Sequence, residues 1–543
     1  MYFNQSKSGI FRGMNPRVTA VSIILMVIAL VGGVFFTDSV AAALSAARAV
    51  VNPFLEWYYV LVVALLLIFM IWLGAGRYKN VRLGHDNEQP EFAFFSWVAM
   101  LFAAGTGVGI LFWAVAQPIM QFQGNPFVPE GMTADAAQVA MRLTFFHWGL
   151  NGWAIFSFVA LVLAYFAYRR DMPLTIRSGL KPLLGSKVNG AAGDAVDTLA
   201  AFATVFGIAT TLGLGVQQMN SGLAEVFGLE SSLALQLIVT FGIMTIATVS
   251  VVSGVKRGVR LLSELNFWLS IGVVAFLVLF GPTQYLIGLT IESAGGYITH
   301  LLSMTFYTNA THDDGWQAEW TVFFWGWWLA WSPFVGMFIA RISRGRTFRE
   351  FVAGVLLVPT VITMVWLGLF GGTALYQELF GEGGISEAVN EDVARALFVT
   401  IDSLGLGTLG LVVSFALIVL IGTYLITSAN AGTLVINTIL SGGDPEPPTA
   451  HRILWGVILA LLTAVLLVAG GLETLQSAVI MAALPFSVIV LGMMLGLISS
   501  LREERFAARM GERTEAPREP WADLDDAGTE PVKCATDQRY KPN

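Results

Sequence analysis

Charge is scarce in this chain. Of 543 residues, 12% are Asp, Glu, Lys or Arg and 56% are hydrophobic, a balance that cannot keep the surface of a soluble globule wet. Cysteine is nearly missing: the single Cys534 lies in the polar C-terminal tail, so neither an intramolecular disulfide nor a cysteine metal site can form. Histidine is rare as well, five in all, and no second His, Cys or carboxylate stands at ligand spacing from His147. The sequence holds no nucleophile with a neighbouring base, no metal ligand set and no phosphate loop, which argues against an enzyme. No cofactor and no nucleic-acid partner are expected.

What is abundant is apolar length. Twelve apolar spans can be drawn, the first at about 18–36 and the last at about 476–499, each near the 20 residues that cross a roughly 30 Å hydrocarbon core. The reading is an all-α protein of twelve transmembrane helices. Its segments are an N-terminus (1–17), two leading helices (18–76), a five-helix repeat (92–281), an amphipathic interfacial helix (284–307), a second five-helix repeat (320–499) and a polar tail (500–543). Lys and Arg test the count, because a wrong number of spans would scramble their alternation between loops. With the N-terminus cytoplasmic, 27 of the 30 basic residues fall on that side and only Arg48, Arg142 and Arg395 on the other. Both termini are therefore expected in the cytoplasm. The first span, with about 19 apolar residues, exceeds the 7 to 15 of a cleaved signal and reads as an anchor.

Five of sixteen tryptophans fall between Trp320 and Ala340, and Trp325, Trp327, Trp328 and Trp331 sit inside the span rather than at its wet edges. Positions 325, 328 and 331 share a helical face suited to a cation without N–H protons. Two spans look interrupted: the third at Gly105, Gly107 and Gly109, the eighth at Trp331, Ser332 and Pro333. Lipid-exposed helices avoid such breaks, and breaks at matching places of two repeats point to a transporter's binding site. In span four, Trp153 and Phe156 share a face, while His147 and Asn151 could bond across helices or be satisfied polar core, the structural reading being favoured for His147. Span ten carries Thr427, Ser428 and Asn430, hydroxyls and an amide that suit either a small hard cation such as sodium or bonding back to the helix. Asp197 and Glu264, at span ends on the basic side, read as ion-paired.

Taken together, AAGTGVGILFW, FFHWGLNGWAIF, ATVFGIATTLGLG, FFWGWWLAWSPFVGMFIARISRGRTFREF and ITSAN resemble the betaine/choline/carnitine transporter family over the whole transmembrane length. The resemblance implies a leucine-transporter-like fold, with spans 3–7 and 8–12 as inverted repeats, assembly as a homotrimer, and transport of a methylated onium solute with sodium as coupling ion. It places an aromatic box on Trp148, Trp153, Phe156 and Trp328, with Trp325, Trp327 and Trp331 along the path and Gly105 to Gly109 near the substrate carboxylate. It places a main sodium site on the carbonyls of Ala103, Thr106 and Tyr424 and the hydroxyls of Thr427 and Ser428. A second sodium site falls on Thr204 and Phe334, but Ile208 stands where the family has a threonine.

Three departures bear on substrate and coupling. Phe156 is tyrosine in the best-known betaine carrier. Gly109 replaces the aspartate of proton-coupled choline carriers, which favours sodium coupling and a zwitterion such as glycine betaine or dimethylsulfoniopropionate. Asn430 replaces a usual aspartate. A choline or carnitine carrier, proton-coupled or exchanging precursor for product, is the competing expectation.

Overall fold

The computed structural model describes residues 4–105, 107–253, 256–311 and 315–509, and gives only the backbone at 52–53, 102–105, 253, 256–260 and 507–509. Residues up to Leu497 form one compact unit, and Ile498 begins a second whose described part is the end of the last helix. The described chain is helical, and no named strand occurs in it.

The two leading helices are α1 (Pro16–Phe35) and α2 (Thr37–Ala75), and span three is two helices, α3 (Phe94–Gly105) and α4 (Val108–Gln123). Span four is likewise α5 (Ala134–Trp148) followed by α6 (Leu150–Ala164). After the short α7 (Lys181–Leu184) come α8 (Ala191–Phe227), α9 (Leu233–Ser253) and α10 (Lys256–Phe280), which close the first repeat. The amphipathic segment is α11 (Thr283–Thr305), showing Ile287, Ile291, Ile298 and Leu302 outward. The second repeat is α12 (Phe323–Ile342), α13 (Phe348–Phe380), α16 (Thr408–Leu440), α17 (Thr449–Val468) and α18 (Gly471–Arg509), with the short α14 (Ile385–Glu391) and α15 (Ala396–Asp402) between α13 and α16.

Eleven helices among the described residues are long and apolar enough to cross a membrane, and span three is absent from that set because it is broken. Its halves, of 12 and 16 residues, reach only about 18 and 24 Å at 1.5 Å per residue. Together they supply the twelfth crossing. Burial sorts the spans into layers. The apolar windows of span four, α8 and α12 are 89% buried, whereas those of α1, α9 and α10 are 28% buried, so the first group forms the centre and the second faces outward.

Packing repeats itself between the halves. α6 lies along α12, and its counterpart α13 lies along α3 and α4; α8 pairs with α16 and α9 with α17; α9 against α16 is matched by α17 against α8. Each contact maps onto another, or onto itself, when span n is exchanged with span n+5. An odd number of crossings per repeat makes the second half run inverted.

One expectation is corrected here. Span eight is not broken at Ser332 and Pro333: α12 runs through Pro333 without interruption, preceded by one π-helical turn at Ala318–Val322. Proline removes the N–H that would bond the carbonyl four residues back. That carbonyl, on Leu329, instead accepts from the Ser332 hydroxyl at 2.8 Å, so the ladder's missing rung is replaced from within. Span ten is also regular, since α16 passes through Thr427 to Asn430 as one helix. Thr427 donates to the Tyr424 carbonyl at 3.0 Å and Thr423 to Val419 at 2.8 Å, so these hydroxyls bond back to their own helix.

Candidate functional site

Span four breaks at Gly149, a feature its apolar flanks conceal. Gly149 has φ −95° and ψ −142°, outside the helical region, and a side chain there would press on the Phe145 carbonyl at 2.5 Å and the Tyr297 hydroxyl at 2.8 Å. Breaking a helix in a dry interior frees backbone groups that cost free energy unless they find partners. Each freed group found here has one, from another helix. The His147 carbonyl accepts from Trp328 Nε1 at 3.0 Å, the Trp148 carbonyl from Thr363 Oγ1 at 3.3 Å, and the Leu150 N–H donates to Tyr297 Oη at 3.0 Å. Replacing Tyr297 by phenylalanine orphans that N–H, a loss of about 1–3 kcal/mol. The expected result is a lowered apparent unfolding midpoint together with weakened substrate binding, both read on the purified protein.

The break turns Trp148 toward the residues that follow. Trp148, Gly152, Trp153 and Phe156 from span four, Trp328 and Trp331 from α12, and Thr363 from α13 line one internal cavity. Of the four expected box positions all are present, and Thr363 and Gly152 are additions the sequence did not signal. Trp148 meets Trp328 edge to face at 4.8 Å between centroids, Phe156 meets Trp153 at 5.4 Å, Trp328 at 5.6 Å and Trp331 at 5.8 Å. The space left is about 20 Å³, roughly what one water needs. The box is drawn closed on itself, and a larger guest must part the rings.

The rings are held from behind. Trp148 Nε1 donates to Gln117 Oε1 at 3.0 Å, while the Gln117 amide contacts His147 Nδ1 at 2.7 Å and His147 Nε2 contacts Thr321 Oγ1 at 3.1 Å. With the amide donating to Nδ1, the imidazole carries its proton on Nε2 and gives it to Thr321. His147 is thus a buried structural group, as its lack of ligand neighbours suggested, and Asn151 likewise bonds across to Thr305 at 3.0 Å. Trp327 lies outside the cavity, with Nε1 on Thr211 Oγ1 at 3.2 Å, and Trp325 packs on Phe146 and His147. Of the rings that line the cavity, Trp148 and Trp328 thus have their N–H groups bonded to the protein, to Gln117 Oε1 and the His147 carbonyl. Among the described residues no carboxylate lines the cavity, and Thr363 supplies the hydroxyl.

The span-three break comes close to the box. Gly109 sits so near the ring edges that a Cβ would meet Trp327 Cη2 at 2.6 Å and Trp148 Cη2 at 3.5 Å. Gly107, extended at φ −177°, opens α4 with no side-chain cap and open space beside it. The first N–H groups of a helix have no intrahelical acceptor and carry its positive dipole end. A π-walled box and a free helix start therefore stand next to each other.

Of the expected sodium ligands, Thr106 lies outside the described residues and Ala103 is described by backbone alone, as is Gly105 of the expected substrate positions. Tyr424, Thr427 and Ser428 share α16, with Thr427 and Ser428 half-exposed. Thr204 bonds back to the Ala200 carbonyl at 2.7 Å, and Ile208 packs where Gly432 gives it room; Phe334 lies tilted against Trp331 at 5.4 Å between centroids. Asn430 donates to Ser250 Oγ at 3.1 Å, a bond that an ionised carboxylate could not donate.

A family model described as betaine/carnitine/choline family transporter matches residues 17–506. The chain is similar to a glycine betaine transporter of Acinetobacter baylyi, 43% identical over 493 residues that cover 91% of this chain and 74% of the relative. It is 39% identical over 494 residues to a glycine betaine transporter of Bacillus subtilis, covering 91% and 95%. It is also 38% identical over 509 residues to a high-affinity choline transport protein of Escherichia coli, covering 93% and 75%.

Proposed function

Because this chain belongs to the betaine/carnitine/choline family of transporters, we propose that it takes up a zwitterionic methylated onium solute, of glycine betaine or dimethylsulfoniopropionate type, by sodium symport. The observation that carries the reading is the cavity wall: Trp148, Trp153, Phe156 and Trp328 surround it and, among the described residues, no carboxylate does. A cation there is held by ring quadrupoles, each contributing about 0.5–2 kcal/mol. An ammonium with N–H protons would leave donors unsatisfied, since among the described residues Thr363 is the only side-chain hydroxyl in the wall. A fully alkylated head has no such donors.

The solute's carboxylate would meet the free N–H groups at the start of α4, beside Gly107 and Gly109, where the helix dipole favours an anion. This second pole separates a zwitterion from choline, which carries a hydroxyl instead. The glycine at 109 supports the same choice, because any side chain there collides with Trp327. Sodium would be shared between the Tyr424 carbonyl and the Thr427 and Ser428 hydroxyls. Thr427 Oγ1 and the Tyr424 oxygen lie 3.0 Å apart, near enough for one small cation to touch both once the hydroxyl hydrogen turns away. Binding that prefers the outward-open state shifts the equilibrium toward it, and alternating access follows as the repeats rock about the fixed site. An inner membrane location with cytoplasmic termini, and assembly as a homotrimer, go with this reading.

The test is uptake of labelled glycine betaine into proteoliposomes. Uptake should rise with an inward sodium gradient and with a negative interior, worth about 2.3 kcal/mol per charge at 100 mV. Uptake unchanged when sodium is replaced, or seen only with substrate on both sides, would remove symport in favour of proton coupling or exchange.

A further inference from the structure

One wall of the box is fastened to the helix whose start faces the solute's other pole. α4 opens at Gly107, and the indole of Trp148, the last residue of α5, lies along that same helix and meets it at two places. At one end a Cβ on Gly109 would stand 3.5 Å from Trp148 Cη2; at the other, Trp148 Nε1 donates to Gln117 Oε1 at 3.0 Å. Gln117 lies about two turns further along α4. Helical side chains lean back toward the start of their own helix, so the Gln117 amide reaches toward the ring for which Gly109 leaves room. The helix start and the ring are thereby held at a fixed and short separation.

Gln117 can hold the ring only with its amide one way round. Its NH2 is spent on His147 Nδ1 at 2.7 Å, and His147 Nε2 in turn meets Thr321 Oγ1 at 3.1 Å, on the π-helical turn that precedes α12. Turned over, the amide would set its NH2 against the indole N–H, two donors facing each other. Gln117, His147, Thr321 and Trp148 are all buried, so water does not compete for these bonds. The chain from Thr321 through His147 and Gln117 to Trp148 thus joins the entry of α12, the end of α5 and the body of α4, and its last bond fixes where the ring stands relative to the start of α4.

We propose that Gln117 is a positioning residue that sets the distance between the two poles of the site and, through Trp148, selects zwitterions whose onium and carboxylate are joined by one or two carbons over those with a longer link. The proposal rests on the substrate class put forward above and deepens it. A short solute can lay its methyl groups on the Trp148 face and its carboxylate at the start of α4 only while ring and helix stay in contact. A solute with three carbons between its poles must fold, or push its carboxylate past the first N–H groups. Without the Gln117 oxygen the indole N–H is an unsatisfied donor in a dry setting, a cost that it escapes by swinging off α4. The gap then widens. The short solute can no longer bridge it, and the longer one can.

Equilibrium binding of radiolabelled glycine betaine and of radiolabelled 4-trimethylammoniobutanoate to the purified full-length protein, at fixed sodium, tests this. Wild type should favour glycine betaine, and Gln117→Leu should shrink that preference by at least about tenfold. Trp148→Phe keeps a ring and removes the N–H; it should shrink the preference to a similar extent, and adding Gln117→Leu to it should change little more. A merely structural role for Gln117 would lower both affinities alike and leave the preference where it was, which overturns the proposal, as does a wild type that does not favour the shorter solute. Thr321→Val loosens the far end of the chain with Gln117 in place, and should move the preference the same way by a smaller factor. Where Gln117→Leu fails to fold, that variant decides: a shifted preference supports the proposal and an unchanged one overturns it. A wild-type protein that binds neither solute would instead overturn the substrate class on which the proposal rests.

Discussion

Replacing Trp328 by alanine weakens binding of glycine betaine by about a hundredfold. The ring is one wall of the cavity, and its loss removes about 0.5–2 kcal/mol of cation–π attraction. Its indole N–H also satisfies the His147 carbonyl at the break in span four, and orphaning that carbonyl costs about 1–3 kcal/mol more. Contacts with Trp148, Phe156 and Trp331 go as well, so the remaining rings lose their positions. The lost attraction and the orphaned carbonyl together span about 1.5–5 kcal/mol, a range that brackets the roughly 2.8 kcal/mol of a hundredfold change. Trp328→Phe separates the two roles, since it keeps a ring and removes the N–H, and its affinity should lie between. Equilibrium binding of labelled solute reads both. Alanine binding like wild type would mean that the cation sits elsewhere.

A second large effect lies far from the cavity. Arg177, on the loop before α8, is fully buried and donates to Asp197 Oδ2 at 2.6 Å and to Asp194 Oδ1 at 2.9 Å. Asp197 also accepts from Thr175 Oγ1 and the Arg177 N–H, and Asp194 from the Asn15 side chain. Removing the guanidinium leaves two carboxylates in a dry setting, and breaking a buried pair in this way costs about 3–5 kcal/mol. Arg177→Ala should lower the apparent unfolding midpoint of the purified protein sharply. Arg177→Met combined with Asp197→Asn should recover most of the loss, because it removes one stranded charge along with its partner. A single variant as stable as wild type would show that the carboxylates are not charged in the fold.

How much of this could be read in the sequence follows from how local each cause is. Span count came from apolar length, which is a local property, and the break at Gly105 to Gly109 came from three glycines within five residues. The box positions Trp148, Trp153, Phe156 and Trp328 were legible through family resemblance, and they do meet around one cavity. The break at Gly149 was not legible, because a single glycine in an apolar helix is ordinary until its neighbours are known. It is held by Tyr297, Trp328 and Thr363, side chains from three other helices, and no window of sequence contains them together. Thr363 was missed for the same reason. Pro333 misled in the opposite direction: the rule that proline breaks a helix is local, and so was the remedy. Ser332 stands next to it, and a serine before a helical proline can reach the very carbonyl the proline abandons.

The central claim is that π faces hold a positive charge, and one comparison isolates that charge. Tert-butylacetate has the shape and carboxylate of glycine betaine with a neutral carbon in place of the nitrogen. Its competition against labelled glycine betaine, on purified protein at fixed sodium, should be weaker than that of glycine betaine itself by at least about thirtyfold, the factor from about 2 kcal/mol spread over four rings. Equal competition by the neutral compound would contradict the account, because the rings would then recognise shape alone.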